Sequence, residues 1–267
     1  MKAVICAAGR GLRLGADSPK ILLEFGGRTL LEWHAVRLRE VGVRDTIIVT
    51  GHLREQIAPI LPEISARHGL RIRELVNERF QDGSVLSLAA ALPEIEGNRD
   101  SLLLMDADVL YPEHMLERLI RSAHRTALLI DREYSTKDDD PVLVPVRSGR
   151  PFEFQKKWTG QADFVGESIG FFKIASEDFP MMVTETRKRI SETEVRDSYD
   201  DVLRAMVLAD RFGCEDVTGW PWTEIDFPAD ISLARDHVFP RIEHWKNAAQ
   251  TGAVSRFPGG DWTRGAD

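Results

Sequence analysis

Short runs of residues in this sequence have the types and spacing to handle a phosphate. One is Ala7-Ala8-Gly9-Arg10-Gly11, with Arg13 and Lys20 just beyond it. Glycines let backbone N–H groups approach an anion closely, and the two cations can give it charge-assisted hydrogen bonds. Taken alone, the glycine pair describes equally well a tight strand-to-helix turn with surface cations. A second run is Asp106-Ala107-Asp108. Carboxylates at i and i+2 of an extended segment point the same way, so both can face one cleft; the other reading is one functional aspartate and one that caps a turn. Far along the chain Glu224-Ile225-Asp226, just before Pro228, repeats the alternation. Two carboxylates with phosphate oxygens and water make the hard, oxygen-only shell that suits Mg²⁺, and no His/Cys grouping favours zinc.

The spacing excludes two familiar phosphate loops. A Walker loop needs GxxxxGK followed by Ser or Thr, and the chain has no such run. A dinucleotide fingerprint needs a third small residue where Leu14 stands, and an acid after the second strand, where the chain reads Thr50-Gly51-His52. Hydride transfer is therefore set aside.

The elements that must position these residues follow from periodicity. Ala3 to Cys6 predicts a buried strand running into the glycine loop. Strands are predicted at Thr46 to Thr50, Ile72 to Val76, Ser101 to Met105 and Thr126 to Ile130. Between them come helices at Thr29 to Val41, with Thr29 as cap and Gly42 as stop, at Leu53 to His68, which Pro59 and Pro62 should break or kink, at Ser84 to Leu92, capped by Ser84, and at Glu113 to Ser122. Such alternation predicts right-handed crossovers and a three-layer, Rossmann-like α/β fold: a mixed, mostly parallel sheet with helices on both faces. From 134 to 174 the pattern changes to short strands separated by polar turns, expected to form a small antiparallel extension beside the main sheet. Helices are expected again at Glu177 to Arg189, at Tyr199 to Phe212 and from Ala229 to about Asn247, with a strand at Glu215 to Thr218. Residues 1–247 then form one domain, and 248–267, rich in glycine, a poorly ordered tail.

The chain's 267 residues, 43% hydrophobic and 29% charged, suit an ordinary soluble globular protein. A formal net charge of -8 argues against non-specific nucleic-acid binding. Cys6 and Cys214 are too far apart in the predicted elements for a disulfide framework, so a reducing cytoplasm is the simplest home. No apolar stretch approaches membrane-spanning length.

The whole pattern Ala7-Ala8-Gly9-Arg10-Gly11-Leu12-Arg13-Leu14 followed by Pro19-Lys20 resembles the signature loop of nucleotidyltransferases. These enzymes activate sugar phosphates, phosphocholine, inositol phosphate or phosphonates with a nucleoside triphosphate. Gly166-Glu167-Ser168-Ile169-Gly170 and the stretch TEIDFPADISLA, with SYDDVL around Asp200, resemble the cytidylyltransferase branch. The resemblance implies CTP as donor and phosphocholine, 2-aminoethylphosphonate, a related phosphonate or inositol phosphate as acceptor. It implies that Asp108 and Asp226 hold Mg²⁺, and that Ala7, Ala8, Gly9, Gly11, Arg13 and Lys20 surround the triphosphate, with Asp106 beside the nucleotide. Arg13 and Lys20 then balance charge during catalysis.

The same resemblance places a lysine near the acceptor phosphate. Lys156 and Lys157 are adjacent, so on a strand only one can enter the cleft; the family pattern favours Lys156, with Glu167 and Trp158 nearby. The segment Asn77 to Leu88 resembles the family's nucleobase wall, where Gly83 and Ser84 could donate to a pyrimidine, although a plain helix cap accounts for Ser84 equally well. Tyr134, Trp158, Tyr199, Trp220 and Trp222 could face a quaternary ammonium, but for Trp220 and Trp222 around Pro221 simple core closure is the preferred reading. Asp138-Asp139-Asp140 reads as a solvated acidic turn. The rival readings are a sugar-1-phosphate nucleotidyltransferase using UTP, TTP or GTP, and a nucleotide-binding regulator without activity. The sequence leaves a homodimer open.

Overall fold

The computed structural model describes residues 1–15, 17–134, 141–191 and 195–250. The expected tail beyond Gln250 and the acidic run Asp138 to Asp140 lie outside the described residues. In chain order the elements are β1 (Lys2–Ala7), α1 (Leu30–Glu40), β2 (Asp45–Thr50), α2 (Leu61–His68), β3 (Arg71–Val76), α3 (Val85–Glu96), β4 (Leu102–Asp106), β5 (Val109–Leu110), α4 (Glu113–Arg121), β6 (Ala127–Asp131), β7 (Leu143–Arg147), β8 (Arg150–Pro151), β9 (Phe164–Ile174), α5 (Phe179–Ile190), α6 (Tyr199–Leu208), β10 (Gly213–Asp216), β11 (Thr223–Glu224), α7 (Pro228–Leu233) and α8 (Phe239–Gln250).

The described residues build a nine-stranded sheet in the order β8-β7-β9-β4-β1-β2-β3, with β6 also paired to β9 and β10 paired to β6. Pairing is parallel among β4, β1, β2 and β3 and between β6 and β10, and antiparallel where β9 meets β4, β6 and β7. Successive side chains of a strand alternate between faces, and β1 shows the result. Ala3 and Ile5 enter a core with Leu31 and Leu38 of α1, Ile64 of α2 and Leu116 of α4. Val4 enters the opposite core with Leu88 of α3, Met182 of α5 and Leu203 of α6. This is the expected three-layer mixed sheet, covered on both faces. Among the described residues no helix is long and apolar enough to cross a membrane.

Local chemistry accounts for several boundaries. Thr29 Oγ1 accepts the Glu32 N–H and Glu32 returns the bond to the Thr29 N–H, a capping box that starts α1. The prolines divide the expected helix at Leu53 to His68 into a turn at Arg54–Ile57, a 3₁₀ turn at Ala58–Ile60 and α2. α3, by contrast, continues through Pro93 to Glu96, because Ile95 is fully buried one turn beyond Leu92. The expected antiparallel extension is continuous with the main sheet: β9 pairs with β7 through Phe164 to Glu167 and with β4 through Phe171 to Ile174.

Candidate active site

The acidic residues are brought together by a two-stranded ribbon. β4 ends with Asp106 beside Cys6 of β1, the chain bends at Ala107 and Asp108, and β5 then pairs antiparallel with β11, Val109 opposite Glu224 and Leu110 opposite Thr223. The Ile225 N–H donates to the Asp108 carbonyl at 2.9 Å. Asp226 is held from behind, since its own N–H and that of Phe227 donate to Asp230 Oδ2 at 2.8 and 2.7 Å at the start of α7. Carboxylate oxygens of Asp108, Glu224 and Asp226 consequently lie within 4.8 Å of one another.

Cations from the glycine loop meet this cluster. Lys20 Nζ donates to Asp108 Oδ2 at 2.8 Å and to Asp226 Oδ1. Arg13 NH1 donates to Asp226 Oδ2 at 3.3 Å, with its guanidinium 5.3 Å from the centre of the Phe227 ring. Burial pulls the Lys20 ammonium down, and the carboxylates of Asp108 and Asp226 outweigh it, so its pKa stands above the ordinary lysine range. Glu224 keeps an exposed surface, but its carboxyl is crowded into the cluster, where partial loss of solvation and the charges of Asp108, Asp106 and Asp226 push its pKa up. Three acids this close draw positive charge. Their donor set is all carboxylate oxygen, already bridged by an ammonium, and it fits a hard divalent cation such as Mg²⁺ held by Asp108 and Asp226, with Glu224 as the third oxygen donor.

A cavity of about 280 Å³ includes the cluster in its walls and is lined also by Ala8, Gly9, Arg13, Ser84, Lys156 and Glu167. Gly9 has open space where a side chain would stand. Gly11 has φ +56° and turns the loop so that Lys20 can pack under it. Ala7 is the last residue of β1, in register with Thr50.

Both members of the Asp106/Asp108 pair line the cavity, so neither is a mere turn cap. Asp106 faces Gly170 at the irregularity of β9; a Cβ on Gly170 would come within 2.1 Å of Asp106 Oδ2. The buried Tyr199 hydroxyl donates to Asp106 Oδ1. Burial and the Asp108 charge raise the Asp106 pKa well above normal, against the lowering effect of Tyr199. Burial likewise raises Asp200, which also lines the cavity, while the Ser198 hydroxyl and the Lys156 charge oppose the shift. Lys156 lines the same cavity.

Expectations for three residues are corrected. The Gly83 N–H donates to the Val195 carbonyl at 3.0 Å and is not offered to a base; a Cβ at Gly83 would lie 2.2 Å from the Asp197 carbonyl, so this glycine serves backbone packing. Ser84 does not cap α3 with its side chain. Its hydroxyl bonds Ser198 Oγ at 2.9 Å and accepts the Tyr199 N–H at 3.2 Å, tying the start of α3 to that of α6 at the cavity wall. Trp158 is absent from the walls of the cavity; its ring stands edge-on to Phe152 at 6.0 Å and folds over Gly160.

Trp220 closes a core, 3% exposed, as expected. Trp222 packs partly buried against the same core and also donates from Nε1 to Asp131 Oδ2 at 2.7 Å, lining a second cavity of about 280 Å³ with Tyr134, Glu133 and Glu167. Sequence reasoning also missed His34, whose buried imidazole bonds the carbonyl of Ala107. A polar residue among Leu30, Leu31, Ala35 and Leu38 on the apolar side of a helix was the available signal.

A family model described as the MobA-like NTP transferase domain matches residues 3–257. A bifunctional IPC transferase and DIPP synthase from Thermococcus kodakarensis is 30% identical over 237 residues, covering 88% of this chain and 50% of that protein. A CTP:phosphoglutamine cytidylyltransferase from Campylobacter jejuni is 22% identical over 191 residues, 66% of this chain and 73% of the other. Among solved structures, the inositol-1-phosphate CTP transferase from T. maritima superposes with a TM-score of 0.72 at 20% identity, covering 92% of this chain and 96% of its own. The chain spans about half the length of the bifunctional relatives it matches. Because the family match extends over nearly the whole sequence and the three-layer fold accompanies it, the chain belongs to the MobA-like NTP transferase domain family.

Proposed function

We propose that this chain is a Mg²⁺-dependent cytidylyltransferase that transfers CMP from CTP to a small phosphorylated or phosphonate acceptor. The observation that carries the reading is the convergence of Lys20 and Arg13, from the glycine loop, on the carboxylates of Asp108 and Asp226. Relatives named as CTP-using transferases support the choice of nucleotide. An acceptor oxygen attacks the α-phosphorus, the bond from that phosphorus to the bridging oxygen breaks, and pyrophosphate leaves with the electron pair. Phosphate and phosphonate oxygens are nucleophilic already, so positioning and charge neutralisation carry the rate. Asp108, Asp226 and Glu224 would hold the metal, which when bound neutralises triphosphate charge. Arg13 and Lys20 release their carboxylate partners to bind the outgoing phosphates. Ala8 and Gly9 leave backbone exposed for the triphosphate, Ser84 stands at the wall proposed for the base, and Lys156 meets the acceptor phosphate.

The second cavity shares Arg13, Glu167 and Asp226 with the first and adds Asp131, Glu133, Tyr134 and Trp222. Acids beside aromatic rings favour an acceptor that carries an amine or quaternary ammonium over a neutral polyol. The test is pyrophosphate release with CTP, UTP, TTP or GTP against phosphocholine, 2-aminoethylphosphonate, inositol 1-phosphate and glucose 1-phosphate. The expected result is turnover with CTP and an aminated acceptor, falling at least about 100-fold in Asp108→Ala. Near-native turnover in that variant refutes the mechanism, and nucleotide binding without release from any pair points to a regulator.

A further inference from the structure

His34 lies on the face of α1 that buries Leu30, Leu31 and Leu38, where an aliphatic side chain would pack without burying polar atoms. Its imidazole is 1% exposed and makes two hydrogen bonds, from Nε2 to the Ala107 carbonyl at 3.1 Å and between Nδ1 and the Tyr111 hydroxyl at 3.1 Å. A carbonyl only accepts, so Nε2 carries the proton and Nδ1 accepts from the Tyr111 O–H.

The two partners bracket the acidic bend. Ala107 sits between Asp106 and Asp108, one residue past the last β1–β4 pair, Cys6 with Asp106. Tyr111 directly follows β5. One ring therefore ties the bend to α1 on the side away from the cavity, while the β11 ribbon ties it through the Asp108 carbonyl. Tyr111 is itself fixed, edge-on to Phe171 at 4.6 Å and with the Arg37 guanidinium 4.6 Å over its ring.

We infer that His34 is a positioning residue: through Ala107 and Tyr111 it sets where the Asp108 carboxylate stands relative to Asp226 and Glu224, and so how tightly the site holds a divalent cation. The inference rests on the proposed metal site. An isolated core histidine would affect folding alone; a positioning histidine must also affect the metal.

The test compares the full chain with His34→Phe, His34→Gln and Tyr111→Phe. Mn²⁺ binding is read by electron paramagnetic resonance, and pyrophosphate release is titrated with Mg²⁺. Partners that orient metal ligands typically change affinity 10- to 100-fold, so H34F should weaken Mn²⁺ binding and raise the half-activating Mg²⁺ concentration by roughly tenfold. KM for the acceptor should stay within about twofold. H34Q, whose amide N–H can reach the Ala107 carbonyl, should recover most of the loss. A lower melting temperature in H34F with unchanged Mn²⁺ binding overturns the inference. If H34F does not fold, Y111F must show the shift, about threefold, since it removes only the outer bond; its absence overturns the inference as well. A wild-type chain that binds Mn²⁺ but releases no pyrophosphate defeats the catalytic reading, and the Mn²⁺ comparison still decides the role of His34.

Discussion

Replacing His34 with phenylalanine should remove a pH dependence from the stability of the protein. Burial, partly offset by the Ala107 hydrogen bond and reinforced by the nearby Arg37 charge, lowers the imidazole from 6.5 to about 4. The unfolded chain takes up this proton as pH falls through 6.5, whereas the folded chain holds it off until about 4, so the folded state loses ground across that window. At 1.36 kcal/mol per pKa unit, the full effect is about 3 kcal/mol, of which about 2 kcal/mol is lost by pH 5. At pH 7 H34F should be less stable than the wild type by roughly 1–3 kcal/mol, since the Ala107 carbonyl and Tyr111 hydroxyl lose their partner. Urea unfolding followed by circular dichroism from pH 7.5 to 4.5 measures both proteins. Other acids titrate in both and cancel in the difference, so the gap should narrow by about 2 kcal/mol between pH 7 and 5. A gap that stays constant within about 0.5 kcal/mol would mean the folded imidazole titrates like a free one, and the reasoning from burial would fail.

Gly83→Ala should destabilise the fold by about 2–4 kcal/mol, because the new methyl meets the Asp197 carbonyl at 2.2 Å and backbone, not a mobile side chain, must move. A melting temperature within about 2 °C of the wild type would contradict that contact. Glu153 receives both Nε and NH2 of Arg204, at 2.6 and 2.9 Å, and this fork holds its carboxyl below the ordinary range. A depressed carboxyl stabilises above its unfolded pKa and loses that contribution as pH falls through the folded one. Glu153→Gln should therefore cost about 1 kcal/mol at pH 7, reduced by the partial exposure of Arg204, and progressively less below pH 4.5. An equal cost at pH 7 and pH 3.5, measured by urea midpoints, would rule out the ion pair as the cause.

What could be read from sequence was what short stretches decide for themselves. The glycine loop is legible because its glycines and cations lie within a few residues, and α1 because Thr29 and Glu32 form their capping box locally. Asp106 and Asp108 were legible for the same reason. Glu224 stood out through its alternation with Asp226, but its closeness to Asp108 depends on the register of β11 against β5, which no local pattern fixes. Gly83 resembled a donor at a helix start; the segment that claims its N–H, near Val195, is remote in sequence. The helix expected at Ser84 to Leu92 runs on through Pro93 to Glu96, where burial of Ile95 outweighs the missing hydrogen bond. Trp158 pointed to the acceptor by proximity to Lys156, and only tertiary packing on Phe152 turns it elsewhere.

The ribbon between β5 and β11 has a consequence for how the protein is assembled. Lys20 reaches partners 88 and 206 residues further along the chain. The glycine loop can therefore form with β1 early in synthesis, yet the acidic cluster is incomplete until Glu224 and Asp226 have folded back. Closing so long a loop is entropically slow, and the contact is late to form. Under the proposed function, a metal–nucleotide complex bound there would staple early and late parts of the chain together, stabilising the docked state in proportion to the logarithm of its concentration. Cleavage by protease after β10 should accordingly slow when CTP and Mg²⁺ are added together, and less when either is added alone.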